Sequence, residues 1–182
     1  MPTPIGHSLL GLSIMAAAYG VKKPAFTKHG LKLAVFCVAA ACLPDIDFVH
    51  WDGNGLTLTG ACHHGITHSI GFALFAASLA GLWAKLAKHD GWPKIGLLTF
   101  ALVGSHVLAD LFGVDGYAAN GIGVPALWPF SGEYHIIPIL PAADRANVFS
   151  MGSLWAMIVE LFVFGGIFAV STINAGRRRK SG

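Results

Sequence analysis

The chain is 182 residues long, 54% hydrophobic and only 12% charged, with a mean hydropathy of +0.64. Soluble domains carry about 25% charged residues, and half that share cannot cover the exterior of a water-soluble domain of this size. The composition, with 23 Gly, 12 Phe and a net charge of +3, excludes a disordered or nucleic-acid-binding chain and points to a small integral membrane protein of one domain.

Five apolar runs follow in chain order, over residues 5–21, 31–48, 66–86, 95–112 and 151–173. A helix needs about 20 residues at 1.5 Å each to cross a hydrocarbon core, so the first run is short and the fifth ample. The pattern predicts an all-α bundle of about five transmembrane helices, with residues 1–176 as one helical domain and 177–182 as a basic cytoplasmic tail. Small residues such as Ala39, Ala40, Ala41, Gly165 and Gly166 suit close packing of helices in lipid. The first run reads as a retained helix, because Lys22 and Lys23 follow it, whereas a signal peptide carries its charge in front. Cys37, Cys42 and Cys62 form no C-x-x-C pair, hence no disulfide framework.

Basic residues set the direction. Lys22, Lys23, Lys28 and Lys32 lie between runs one and two, Lys85, Lys88 and Lys94 between three and four, and Arg177, Arg178, Arg179 and Lys180 after run five. Under five spans, eleven of the twelve Lys and Arg residues face one side and only Arg145 the other. The N-terminus is expected outside and the C-terminus in the cytoplasm, in a bacterial inner membrane. The final basic run reads as the stop of a membrane helix rather than a nucleic-acid patch.

Ionisable residues collect at the outer face of that map. His7 opens the first run, and Asp45 and Asp47 stand in Pro44-Asp45-Ile46-Asp47 where the second emerges. His63, His64 and His68 occupy the turn into the third, and His106 and Asp110 share a face near the end of the fourth. His29, His50, His89 and His135 fall in loops and are less informative. Taken singly, each piece is ordinary: a helix-end His is commonly interfacial, Pro-Asp commonly a turn. Together they resemble a metal site, because charges at membrane depth pair, face the interior or serve a function. Imidazole and carboxylate ligands suit Zn, with Mn or Fe possible, and argue against Mg; the surplus over four ligands admits two ions. Glu160, inside the fifth run, is either a partner of a histidine or a protonated residue bonded to a neighbouring helix.

The strings Pro44-Asp45-Ile46-Asp47, His63-His64-Gly65-Ile66-Thr67-His68-Ser69, His106-Val107-Leu108-Ala109-Asp110 and Leu127-Trp128-Pro129-Phe130 resemble, in order, those of the predicted membrane-bound metal-dependent hydrolases. That family includes the YdjM-like, LexA-regulated inner-membrane protein of enteric bacteria, and the likeness covers roughly residues 1–170. It implies a multi-span hydrolase distantly similar to zinc-dependent phospholipases C. His64 stands where that family usually has Arg in His-Arg-Gly-x-Thr-His-Ser. The resemblance marks His63 and His68 as ligands, whereas helical spacing alone would pair His64 with His68. Gly65 argues that the turn is not helical and favours His63.

The expected function is hydrolysis of a phosphoester in a lipid or lipid-linked substrate at the periplasmic face. His7, Asp45, Asp47, His63, His68, His106 and Asp110 would hold one or two Zn-like ions, which lower the pKa of a bound water to about 7. Asp45 or Asp47 would position that water or take its proton, and His64 would contact the phosphate or protonate the leaving oxygen. The alternative is a metal-binding membrane protein or transporter, although transport sites usually sit near the midplane. A haem bound by His68 and His106 is disfavoured by the surrounding carboxylates. Residues 113–150, rich in Gly and Pro, read either as a flap over the site or as an interfacial loop anchored by Trp128 and Tyr134. Asp115, Glu133 and His135 are further candidate ligands within them.

Overall fold

The computed structural model describes residues 2–20, 27–51, 56–57, 63–114, 122–143, 147 and 149–178. Five α-helices follow one another: α1 (Pro4–Tyr19), α2 (Lys28–Ala41), α3 (Ile70–Leu86), α4 (Trp92–Leu111) and α5 (Met151–Arg178). A 3-10 helix, Leu43–Phe48, follows α2, and a minimal antiparallel ladder joins β1 (His50–Trp51) to β2 (Leu56–Thr57).

Local chemistry explains the boundaries. Pro4 and Pro93 open α1 and α4 within the first turn, where a missing N–H costs nothing. Thr27 and Ser69 cap α2 and α3 by accepting from the N–H of Gly30 and Phe72. The second apolar run was expected to be helical through residue 48, but the α-helix stops at Ala41. Pro44 has no N–H to donate and restricts Leu43 before it, so the chain tightens into the 3-10 helix that carries Asp45 and Asp47. The third helix starts at Ile70 rather than 66, because Ser69 is extended (φ −138°, ψ 160°) and caps it there. At the other end α5 extends beyond residue 173, so Arg177 and Arg178 of the expected tail are helical. Asp115, Lys22 and Lys23, Cys62, Arg145 and residues 179–182 lie outside the described residues.

Helices α4 and α5 are long and apolar enough to cross a membrane; α1, with 16 residues, and α3, with 17, are shorter apolar helices. Helix α3 packs along α4, α5 along α1, and α1 and α4 meet α2 and each other. Small residues make these contacts close. A Cβ at Gly11 would stand 2.8 Å from the Cys37 carbonyl, so α1 and α2 touch backbone to backbone. Cys37, Ala40, Ala41, Leu98 and Leu102 form one buried apolar cluster, and Ala73, Ala76 and Val103 another. Large apolar side chains face outward, among them Trp83 at 72% and Phe162 at 84% exposure. The inside, by contrast, holds His7, His63, His64, His68, His106, Asp110 and Glu160, all at most 2% exposed. Apolar outside and ionisable inside is the pattern of a protein in lipid.

Candidate metal centre

The 3-10 helix after α2, the turn 63–69 and the C-terminal half of α4 meet where α1 begins. Four side-chain atoms face one another there. His106 Nε2 lies 3.2 Å from His68 Nε2, 3.1 Å from Asp110 Oδ2 and 3.5 Å from Asp45 Oδ1. His68 Nε2 lies 3.3 Å from Asp110 Oδ2 and 3.7 Å from Asp45 Oδ1.

The far side of each imidazole is fixed. His106 Nδ1 stands 2.7 Å from the Ala41 carbonyl, which can only accept, so Nδ1 carries the proton and donates. His68 Nδ1 lies 3.1 Å from Asp47 Oδ2 and from Thr67 Oγ1, and Thr67 Oγ1 donates to that same Asp47 oxygen at 2.7 Å. Donation from His68 Nδ1 to Asp47 satisfies all three. With each Nδ1 donating, a neutral ring turns an Nε2 lone pair inward, and the two Nε2 atoms, 3.2 Å apart, can ligate one cation standing between them. An imidazole fixed through one nitrogen with the other free is the usual setting of a metal ligand.

Asp47 faces outward from this quartet. Its Oδ1 meets His63 Nδ1 at 2.7 Å, and its Oδ2 also accepts from the Gly65 N–H at 3.2 Å. His63 Nε2 lies 4.0 Å from Asp45 Oδ1, one step behind the quartet. The His64 ring is 4.3 Å from that of His63 and 5.0 Å from that of His68. His7 stacks on His106 with ring centroids 3.7 Å apart and sets Nε2 3.5 Å from Asp110 Oδ1.

These residues can hold a metal ion. The five separations above, 3.1 to 3.7 Å, bracket the roughly 3.3 Å expected between neighbouring ligands about 2.0–2.1 Å from a tetrahedral Zn. Both ring nitrogens of His7, Asp45 Oδ1 and both Asp110 oxygens are buried without a hydrogen-bond partner among the described residues. Orphans of this kind are costly in a protein interior, and a cation would satisfy them together. His63, His64 and His68 form one group with metal-binding spacing, His7, Asp45 and His106 a second, and His68, His106 and Asp110 a third.

His7, Asp45, Asp47, His63, His64, His68, His106 and Asp110 are therefore in or beside one cluster, Asp47 and His63 at its rim. Glu133 and His135 fall outside these groups among the described residues. Several partners had escaped the sequence reading: the Ala41 carbonyl, the Thr67 hydroxyl and the Gly65 N–H. Of these only Thr67 had a signal, its place beside His68. Glu160 accepts from the Thr3 N–H at 3.0 Å (Oε1) and 2.9 Å (Oε2), and from Thr3 Oγ1 at 2.6 Å. It clasps the start of α1 rather than a histidine. Residues 122–143 are docked to the helices that carry the site. The carbonyls of Ala126 and Trp128 accept from Ile70 and Gly71 at the start of α3, and Ile137, Ile139 and Leu140 donate to Leu111 and Phe112 at the end of α4. A Cβ at Gly71 would meet Trp128 and Pro129 at about 2.7 Å, so that approach requires glycine.

A family model described as YdjM inner membrane protein matches residues 1–177. No curated protein and no solved structure matches the chain.

Proposed function

Because the chain belongs to the YdjM inner membrane protein family and carries two helices of membrane-crossing length, it is a membrane protein; we propose that it is a metal-dependent hydrolase of a phosphoester in a lipid or lipid-like substrate. The observation that carries this reading is the pair of Nε2 atoms of His68 and His106, 3.2 Å apart and flanked by the buried carboxylate oxygens of Asp45 and Asp110.

The proposed topology is five spans with the N-terminus outside. Lys28 and Lys32 then share the cytoplasmic side with Lys85, Lys88, Lys94, Arg177 and Arg178, and the cluster opens toward the periplasm. Helices α1, α2 and α3 fall short of a 30 Å core by themselves. The capped turns at their outer ends would cover the remaining depth with buried polar groups.

Each residue has a distinct task. His68, His106 and Asp110 would hold a divalent ion, Zn by donor type, with a fourth position left open beside Asp45. His7 and His63 stand ready for a second ion or for added coordination. When bound, the ion supplies Lewis acidity toward a phosphoryl oxygen and acidifies a water near neutral pH. Asp47, through His63, Gly65, Thr67 and His68, keeps the imidazoles oriented. Asp45 is the carboxylate that both faces the quartet and reaches the surface, with 14% of its side chain exposed against none for Asp110. It would accept the proton of the attacking water. His64 would contact the phosphate or protonate the leaving oxygen.

The test is purified protein in lipid nanodiscs, loaded with Zn and assayed against a panel of phospholipids and lipid phosphates, with His68→Ala and Asp110→Ala alongside. Cleavage by the parent chain that both variants lose supports the reading. Bound metal without cleavage of any panel member overturns it in favour of a metal-binding or transport role.

A further inference from the structure

Helix α5 leans on α1 and stands off from α4. A Cβ at Gly6 would lie 2.9 Å from the ring of Phe164, so α5 is drawn tightly against α1 at this level. The gap left between α4 and α5 is a cavity of about 340 Å³. We propose that this cavity is a binding groove for one hydrocarbon chain of a membrane lipid. The proposal rests on the cluster being the site where the lipid's headgroup is handled.

Four observations define the occupant. The lining exposes no polar atom, and the hydroxyl of its one polar residue, Ser105, is spent on the Leu102 carbonyl at 2.7 Å. Water has nothing to bind in such a space. The volume lies at the lower end of ligand pockets and cannot admit a helix about 10 Å across, which leaves a single flexible chain. The groove is continuous with the lipid-facing surface, since Leu108 and Ile167 on its two walls are 54% and 43% exposed. Its position is the fourth. The α4 wall runs from Ser105 to Phe112, about 10 Å along the helix, at the level of His106 and Asp110, which occupy another face of α4. On α1, Leu10 stands one turn beyond His7.

A chain lying here runs parallel to the helices, as lipid tails do. At the mouth sit Ile139 and Leu140, tied to the Phe112 carbonyl. A headgroup there lies at the end of α4 that carries Asp110, one residue from the Ala109 wall. The geometry admits substrate from the side, out of the bilayer.

The experiment uses full-length protein in phosphatidylglycerol vesicles doped with a phospholipid carrying a diazirine midway along one chain. After irradiation, adducts are mapped by peptide mass spectrometry. The expected result is labelling concentrated on residues 105–112 and 163–167, reduced about tenfold in Val163→Trp, which fills the groove. Leu108→Trp fills it from the other wall and replaces Val163→Trp if that variant does not fold; neither residue belongs to the metal cluster. Labelling spread evenly over other lipid-facing positions, such as Leu79, Trp83 and Phe162, or unchanged in a folded filling variant, overturns the proposal. Because labelling needs no turnover, a chain that cleaves no phosphoester but shows this pattern refutes hydrolysis and leaves the groove standing. Cleavage without the pattern does the reverse.

Discussion

The two halves of α4 show how one helix serves two purposes. Its first half buries Leu98, Thr99, Leu102 and Val103 against small apolar residues of α2 and α3. Its second half buries His106 and Asp110 against the 3-10 helix, the turn 63–69 and the start of α1. The first half is held by shape alone, because lipid tails are as apolar as Leu and give no hydrophobic drive. In the second half, fixed partners satisfy the outer edge of each imidazole while the inner edges are left bare.

Substitutions at the quartet should break this contrast most. His68→Ala and Asp110→Ala are expected to lose more than the ~10–100-fold in metal affinity typical of removing an outer partner, read by metal analysis of purified protein. Asp47→Asn should fall within that ~10–100-fold range, with metal restored at higher concentration. Acidification should release metal too. Since only the neutral ring ligates and a proton competes with the metal for each ring nitrogen, metal affinity falls as pH drops, and a titration of bound metal against pH reads it. Glu160→Gln, which weakens the clasp on Thr3, should shift affinity only a few-fold, through His7. In the apolar half, Leu102→Ala should lower stability by about 2 kcal/mol or more and leave metal affinity unchanged; a change in affinity there would mean that the two halves are coupled.

Much of this was legible in the sequence because lipid imposes simple rules. Apolar runs gave the helices, and the imidazoles and carboxylates in those runs had no reason to be there unless they met. Proline explains what was misplaced: the expected second helix ends early because Pro44 ends it, and that ending is what turns Asp45 and Asp47 toward the turn 63–69. The division of labour between the two aspartates was not legible. Spacing makes them equivalent, and only the tertiary fold sets Asp45 against the bare Nε2 atoms and Asp47 against the protonated Nδ1 atoms. Nor could the sequence choose between the two readings of Glu160, since its partner Thr3 lies 157 positions away. The backbone bonds that dock residues 122–143 to α3 and α4 were not legible either, because no side-chain pattern records them.

The most direct measurement is X-ray absorption at the metal edge of Zn-loaded protein, compared with His68→Ala. The account predicts about four N and O neighbours near 2.0–2.1 Å, imidazole scattering among them, and loss of that shell in the variant. Protein that binds no Zn above the level of His68→Ala, or a shell unchanged by that substitution, would contradict it.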